Sequence, residues 1–231
     1  MIYVTSDLHG RFDCLLALLK KVNFQESDWL YIIGDVIDRN SNGGVDILKW
    51  LLYAPNAELI LGNHEAMLLS NSWIFEEITD NSLNMLDSEK LHMLSEWQKN
   101  GAQNTIAALS KEDLDTRQDI LEYLREAPLY DSVSIGGKNF LLVHGGLGNY
   151  RDDRPINDYA PDELLLERPY PETRYSNDYI TVIGHTPTNY YSSEYRGKIL
   201  KTDTWVDIDT GAANGLSPSL LRLDDMAEFY L

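Results

Sequence analysis

Five short apolar runs in this 231-residue sequence stop at side chains that can bind a metal ion. The runs read IYVTS, WLYIIG, AELILG, NFLLV and YITVIG, and the polar residues that follow them are Asp7, His9, Asp35, Asn63, His64, His144 and His185. Leaving such a group unpaired in a protein interior costs on the order of 1 to 3 kcal/mol. Four of the five histidines stand at these ends. This favours one shared binding site over four separate loop histidines that each bind only the backbone.

The donor types point to a borderline divalent cation. Carboxylate, amide and imidazole together suit Mn, Fe or Zn, whereas Ca and Mg prefer oxygen alone. Six donors exceed the needs of one tetrahedral site, so the sequence predicts two cations that share one bridging carboxylate. The six expected ligands are Asp7, His9, Asp35, Asn63, His144 and His185, with Asp35 as the bridge. Such a pair lowers the pKa of a bound water, so that a hydroxide can attack phosphorus near neutral pH.

Residues beside the expected ligands fit the remaining steps of phosphoester hydrolysis. Arg39, in GDVIDRN, offers a planar fork to two phosphate oxygens. His64 follows the ligand Asn63 and is placed to protonate a leaving group, with Asp38 holding its imidazole. The alternative interpretation is that Asp38 and Arg39 form a surface pair worth well under 1 kcal/mol.

The elements that would carry these residues are strands alternating with helices, which is typical of an α/β protein. Loops beyond the carboxyl ends of such strands present polar groups from a rigid base. Residues 71–127 read as a helical insertion, and YDSVSIGGKNFLLV predicts a hairpin turning at Gly136 and Gly137. Alternating C-terminal runs predict antiparallel strands and hence a second or mixed sheet. We expect one domain over residues 1–231.

Composition limits the possible partners and compartments. A net charge of −18 opposes a nucleic-acid surface. No apolar window of about 18 residues predicts a membrane span. The single cysteine, Cys14, excludes an internal disulfide and fits a buried position. With no export signal in MIYVTSDLHG, the expected location is the cytoplasm.

The motifs SDLHG, GDVIDRN, GNHE, HGG and GHTP, in this order, resemble the signature of the PPP family of serine/threonine phosphatases within the calcineurin-like metallophosphoesterases. WQKNGAQNTIAAL is similar to a segment of the bacterial and phage branch. The resemblance implies a mixed two-sheet β sandwich flanked by helices. It also implies one metal on Asp7, His9 and Asp35, and a second on Asp35, Asn63, His144 and His185.

The same resemblance implies His64 and Asp38 as the acid pair and Arg39 as a phosphate contact. A second phosphate-binding arginine is expected in DELLLER, which nominates Arg168, with Arg151 and Arg154 as rivals. Two further positions, Asn40 and Asp209, are compared with the family pattern. Asn40 stands where the family has glycine, although asparagine tolerates a left-handed backbone. Asp209 is assigned only a structural role outside the ligand set.

Three functions follow as hypotheses. The first is a manganese-dependent phosphatase, with Fe or Zn as alternative metals, acting on phosphoserine or phosphothreonine in proteins or on small phosphomonoesters. The second is a dinucleoside polyphosphate hydrolase of the diadenosine tetraphosphate type, in which DRN would be expected to read more like GRG. The third is a noncatalytic binding module that keeps the fold. Neither substrate nor oligomeric state follows from the sequence.

Overall fold

Two five-stranded sheets form the frame of the protein in the computed structural model, which describes residues 1–76 and 87–231. The strands, in chain order, are β1 (Ile2–Thr5), β2 (Trp29–Ile33), β3 (Ala57–Ile60), β4 (Tyr130–Ile135), β5 (Lys138–Val143), β6 (Ile180–Ile183), β7 (Leu200–Lys201), β8 (Trp205–Asp207), β9 (Leu220–Arg222) and β10 (Ala227–Phe229). The helices are α1 (Phe12–Lys21), α2 (Val45–Leu51), α3 (Asn63–Ser70), α4 (Ser88–Lys99), α5 (Gln103–Leu109), α6 (Leu114–Glu126) and α7 (Pro161–Leu165).

Both sheets are mixed. The first has the order β10-β9-β1-β2-β3, in which β1, β2 and β3 are parallel and β9 runs antiparallel to β1. The second has the order β4-β5-β6-β8-β7, with β5, β6 and β8 parallel. Parallel neighbours end at the same edge of a sheet, so the loops after them lie together. The predicted α/β class with two mixed sheets is confirmed.

Apolar side chains fill the space between the sheets and cover their outer faces. Val4 and Ile33 of the first sheet meet Phe140 and Leu142 of the second in one buried cluster. A larger cluster packs α1, α2 and α4–α6 against the other face of the first sheet. The sheets are therefore held as one sandwich, which fixes the positions of the loops at their edges.

The predicted hairpin is present, because β4 and β5 pair antiparallel around Gly136 and Gly137. The region predicted as a helical insertion contains α4, α5 and α6, and residues 77–86 of it lie outside the described residues. Asp113 caps the start of α6, because its carboxylate accepts from the Thr116 N–H at 2.8 Å. Among the described residues, no helix has the length and apolar character needed to cross a membrane.

Candidate metal centre

The loops beyond the strand ends converge on one cavity of about 180 Å³. Most of the residues that the sequence nominated for chemistry line it. The lining comprises Asp7, His9, Asp35, Arg39, Asn63, His64, Asn100, Arg168, His185, Pro187, Asp209 and Ala213. His144 is fully buried next to this wall, with its Nε2 3.3 Å from an Asp35 carboxylate oxygen. The structure therefore brings all six expected ligands into one place.

Asp35 lies between two groups of histidines. Its Oδ1 is 3.3 Å from His144 Nε2, and its Oδ2 is 3.7 Å from His9 Nε2. His64 Nε2 is also 3.7 Å from Oδ2. Two sets of donor atoms, each able to surround a cation, share this carboxylate: His9, Asp35 and His64 in one, and Asp35, His144 and His185 in the other.

Backbone carbonyls orient two of the imidazole rings. His9 Nδ1 lies 2.7 Å from the Ile37 carbonyl oxygen, and His144 Nδ1 lies 2.9 Å from that of Ile33. A carbonyl oxygen can only accept, so each Nδ1 carries the proton. Each Nε2 therefore faces Asp35 and is the nitrogen that a metal would bind, after losing any proton it carries.

Asn63 and Asp7 complete the donor set. Asn63 Oδ1 is 2.9 Å from His144 Nε2 and 2.8 Å from His185 Nδ1. Asp7 Oδ2 accepts from the His185 backbone N–H at 3.0 Å. Oxygen and nitrogen donors thus face one another across a few ångströms without an apolar group between them, so the chemistry of the donor set fits divalent cations.

Burial and neighbouring charges shift the pKa values of these groups. Burial lowers the pKa of His9 and of His185 to about 3. Both rings are therefore uncharged at neutral pH, and each can offer a nitrogen lone pair to a metal. Burial raises the pKa of Asp7 to about 7, with His144 opposing and Asp35 adding to the shift. Burial disfavours charge on His144 as well, but Asp35 and Asp7 outweigh it and raise its pKa to about 10. Asp7 and His144 therefore hold protons on donor atoms for which a divalent cation would compete.

His64 and Asp38 are in direct contact. His64 Nδ1 donates to Asp38 Oδ2 at 2.6 Å, and His64 Nε2 lies 3.3 Å from Arg39 Nη2. Burial alone would lower the pKa of His64, but Asp35 and the hydrogen bond to Asp38 raise it. The Nε2 atom faces the cavity, which is the position that proton donation to a bound phosphoester would need.

Of the three candidate arginines, only Arg168 lines the cavity. Its Nη1 donates to Thr186 Oγ1 at 2.8 Å and to the His185 carbonyl at 3.3 Å. Arg154 instead binds the Glu163 carboxylate, and Arg151 pairs with Asp153 at the surface.

The backbone is strained at the centre. Ten non-glycine residues in the described ranges have positive φ, and six of them are at the centre: Asp7, His9, Asp35, Asp38, Arg39 and His185. Such conformations cost of order 1 to 3 kcal/mol each and collect at functional sites. The expected left-handed turn does not fall on Asn40, since its neighbours Arg39 and Ser41 have φ of 68° and 48° instead. Asparagine at position 40 is therefore accommodated without that conformation.

Glycine is required at two strand ends. A Cβ on Gly62 would lie 2.4 Å from both the amide nitrogen and Oδ1 of Asp35. One on Gly184 would lie 2.2 Å from Asp7 Oδ2. Any larger residue would displace an expected ligand, so these positions admit the close approach that only glycine allows.

The sequence did not assign a role to three residues that support the centre, namely Glu65, Trp97 and Thr105. Glu65 accepts from the backbone N–H groups of Asp35, Val36, Ile37 and Gly62 at 2.8 to 3.2 Å. Trp97 and Thr105 bind Asp38. Asp209, to which the sequence assigned a structural role outside the ligand set, lines the cavity, where burial and Asp7 raise its pKa. Glu65 in GNHE and Trp97 in WQKNG stood in recognisable motifs, but residue type alone did not assign them a role.

This chain is similar to known proteins in sequence and in fold. A family model described as calcineurin-like phosphoesterase matches residues 1–208. A protein of Salmonella paratyphi A named symmetrical bis(5'-nucleosyl)-tetraphosphatase is 37% identical over 173 residues, which cover 73% of this chain and 52% of that protein. One of the same name from Actinobacillus pleuropneumoniae is 27% identical, covering 84% of this chain and 62% of the relative. This chain thus spans less than two thirds of either relative.

A solved structure provisionally described as a diadenosine tetraphosphatase shares the fold, with a TM-score of 0.63 and 20% identity. The match covers all of this chain and 92% of that one.

Proposed function

Because this chain belongs to the calcineurin-like phosphoesterase family, we propose that it hydrolyses symmetrical dinucleoside tetraphosphates with two bound divalent cations. The chain is a hydrolase of the metallophosphoesterase type, and this family uses dinuclear divalent metal sites. The sequence comparison carries the choice of substrate: the similar proteins from Salmonella and Actinobacillus bear that activity in their names. Manganese is the proposed metal.

This choice reverses the order of the two enzymatic hypotheses. The residue argument for phosphoproteins rested on Asp38 and Arg39 in DRN, whereas the similarity to tetraphosphatases extends over 173 residues. An Asp–His acid pair assists departure of any phosphate-linked oxygen, so its presence does not exclude an anhydride substrate.

The geometry supports the following roles for the residues. When bound, the two cations supply positive charge beside the phosphorus and a water that ionises near neutral pH. Asp7, His9 and Asp35 would hold one, and Asp35, Asn63, His144 and His185 the other. Arg39 and Arg168 bind phosphate oxygens, since a guanidinium offers a fork of donors to them. His64 gives its Nε2 proton to the departing oxygen, while Asp38 keeps the other ring nitrogen protonated.

A substrate panel tests the proposal. Protein loaded with manganese is given diadenosine tetraphosphate, p-nitrophenyl phosphate and a phosphoserine peptide, with an Asp35→Asn variant as control. We expect the highest kcat/KM on the tetraphosphate, with two nucleoside diphosphates as products and no turnover by the variant. Turnover of the peptide with none of the tetraphosphate would overturn it.

Phosphomonoesters of serine or threonine are the second candidate substrate. The buried Asp38–His64 pair favours them, because a departing alkoxide needs a proton more than a departing nucleoside diphosphate does.

A further inference from the structure

Two residues of the helices α4 and α5 bind one carboxylate at the centre, that of Asp38. This side chain is fully buried. Its Oδ2 accepts from His64 Nδ1 at 2.6 Å and from the indole N–H of Trp97, in α4, at 2.8 Å. The Thr105 hydroxyl, in α5, donates to the other oxygen, Oδ1. Residues from two helices therefore fix both ends of a carboxylate that itself binds the proposed acid.

Thr105 also fixes the backbone of that loop. Its Oγ1 accepts from the Asp38 N–H at 3.0 Å and lies 3.0 Å from the Gly43 carbonyl oxygen. A Cβ on Gly43 would lie 2.2 Å from the Thr105 amide nitrogen, so loop and helix touch directly. Asp38 has φ of 71°, a conformation that persists only when its surroundings impose it.

We propose that Trp97 and Thr105 are positioning residues for protonation of the leaving group, acting through Asp38 on His64. The inference rests on the proposed function, because it takes His64 as the acid. Of the described groups that bind the Asp38 carboxylate, only His64 lines the cavity. The two others set the direction in which the carboxylate holds the imidazole. Their contribution is therefore to the proton transfer and not to binding of phosphate or metal.

The chemistry gives this role a distinctive signature. A substrate whose leaving group departs readily as an anion gains little from a positioned acid, whereas a poor leaving group depends on it. Loss of the Trp97 N–H should therefore lower turnover selectively, according to the leaving group. A loss of stability or of metal would lower turnover of all substrates alike.

The test compares Trp97→Phe with wild type on phenyl phosphate and p-nitrophenyl phosphate, which share the phosphate and differ in the leaving group. Trp205→Phe is the matched control, because Trp205 is also fully buried and donates its N–H, to the Thr173 carbonyl at 3.1 Å. We expect Trp97→Phe to lower kcat on phenyl phosphate about 10- to 100-fold, the range for one hydrogen bond to a charged group. On p-nitrophenyl phosphate it should change kcat less than threefold, with KM unchanged on both.

Two further measurements separate positioning from folding. Thr105→Val should show the same selectivity and Thr105→Ser should recover wild-type rates, since serine retains the hydroxyl. On the best substrate of the panel, Trp97→Phe should have no further effect in a His64→Ala background, because residues that act as a unit are non-additive.

Equal losses on both phosphates, an equal loss from Trp205→Phe, or a full additional loss in the His64→Ala background would overturn the inference. An absence of wild-type turnover on every substrate would instead overturn the proposed function, and this inference with it.

Discussion

His64 and Asn63 are adjacent in the chain but have different proposed roles. His64→Ala should lower turnover by roughly 10² to 10⁴, the range for a general acid, and leave metal content nearly unchanged. His64 Nε2 is as far from Asp35 Oδ2 as His9 Nε2 is, at 3.7 Å, so distance does not distinguish ligand from acid. Steady-state rates and elemental analysis of the purified variant make the distinction. His92→Ala, outside the centre, is the control, and loss of both metals from the His64 variant would contradict the role.

Arg168 is the proposed second phosphate contact. Arg168→Ala should lower kcat/KM about 10- to 100-fold, since it removes a charged hydrogen bond to the substrate. Arg151→Ala should have no such effect, because Arg151 is at the surface beside Asp153. Rates measured over a range of substrate concentrations compare the two variants. Equal kcat/KM values for them would remove Arg168 from the mechanism.

For single residues, the sequence predicted which side chains lie together but not the hydrogen bonds that keep their loops in place. Asp7 and His185 could be paired because each follows an apolar run, and strand ends gather at one edge of a sheet. The four N–H groups around Glu65 come from two loops whose relative position depends on the packing of β2 and β3. Every residue except proline has a backbone N–H, so no pattern of residue types shows which of these groups will bind Glu65.

Glu65 joins three elements, since its carboxylate binds amides that follow β2 and β3 and is itself carried by α3. Glu65→Gln should lower the free energy of unfolding by roughly 2 to 4 kcal/mol, because an amide group brings a donor toward four other donors. For a chain of this length the melting temperature should fall by about 4 to 16 °C. Thermal unfolding followed by circular dichroism measures it. Glu26→Gln, at an exposed position, is the control, and equal melting temperatures would refute the argument.

An ion pair braces the segment between β5 and α7. Arg154 donates to both oxygens of Glu163, and Glu163 also accepts from the Ala160 N–H at the start of α7. Arg154, followed by Asn149 and the Ala160 amide, lowers the pKa of Glu163 to about 2. A depressed carboxyl pKa adds stability above the unfolded value of about 4.3, and that stability is lost as pH falls towards 2.

Glu163→Gln should therefore lower the melting temperature at pH 7, and the difference from wild type should shrink between about pH 4 and pH 2. Melting curves across that range check the direction. Glu122→Gln, on the exposed face of α6, is the control. A difference that grows as the pH falls would contradict the assignment.

Elements were predicted better than their connections. Alternation and turn glycines predicted the hairpin of β4 and β5, and helical periodicity predicted α4 to α6. The sequence did not show that α4 and α5 turn Trp97 and Thr105 toward Asp38, because side-chain direction across elements depends on how the helices pack.

Removing the metals should destabilise the whole molecule. A ligand present at 100 times its Kd adds about 2.7 kcal/mol to the free energy of unfolding, so chelation should lower the melting temperature by about 5 to 11 °C. Added manganese should reverse the change. Scanning calorimetry with and without EDTA measures both steps. An Asp35→Asn variant should respond little to either addition, and an unchanged wild-type melting temperature would argue against bound cations.

At the scale of the whole chain, composition predicted one domain over residues 1–231, and that remains a prediction. The family match over residues 1–208 includes every expected ligand. Substrate choice was the weakest prediction, because a sequence shows the groups that act on phosphorus more readily than the surface that contacts the rest of the substrate.

The order of strands in the first sheet has a consequence for biosynthesis. β1, which precedes Asp7, lies between β2 and β9, so its partner on one side is made only when residues 220–222 are translated. Asp7 and His185 are separated by 178 positions. A ribosome adding about 5 to 20 residues per second exposes the first donor many seconds before the last. The nascent chain therefore acquires its full affinity for metal only after residues 220–222 have been translated.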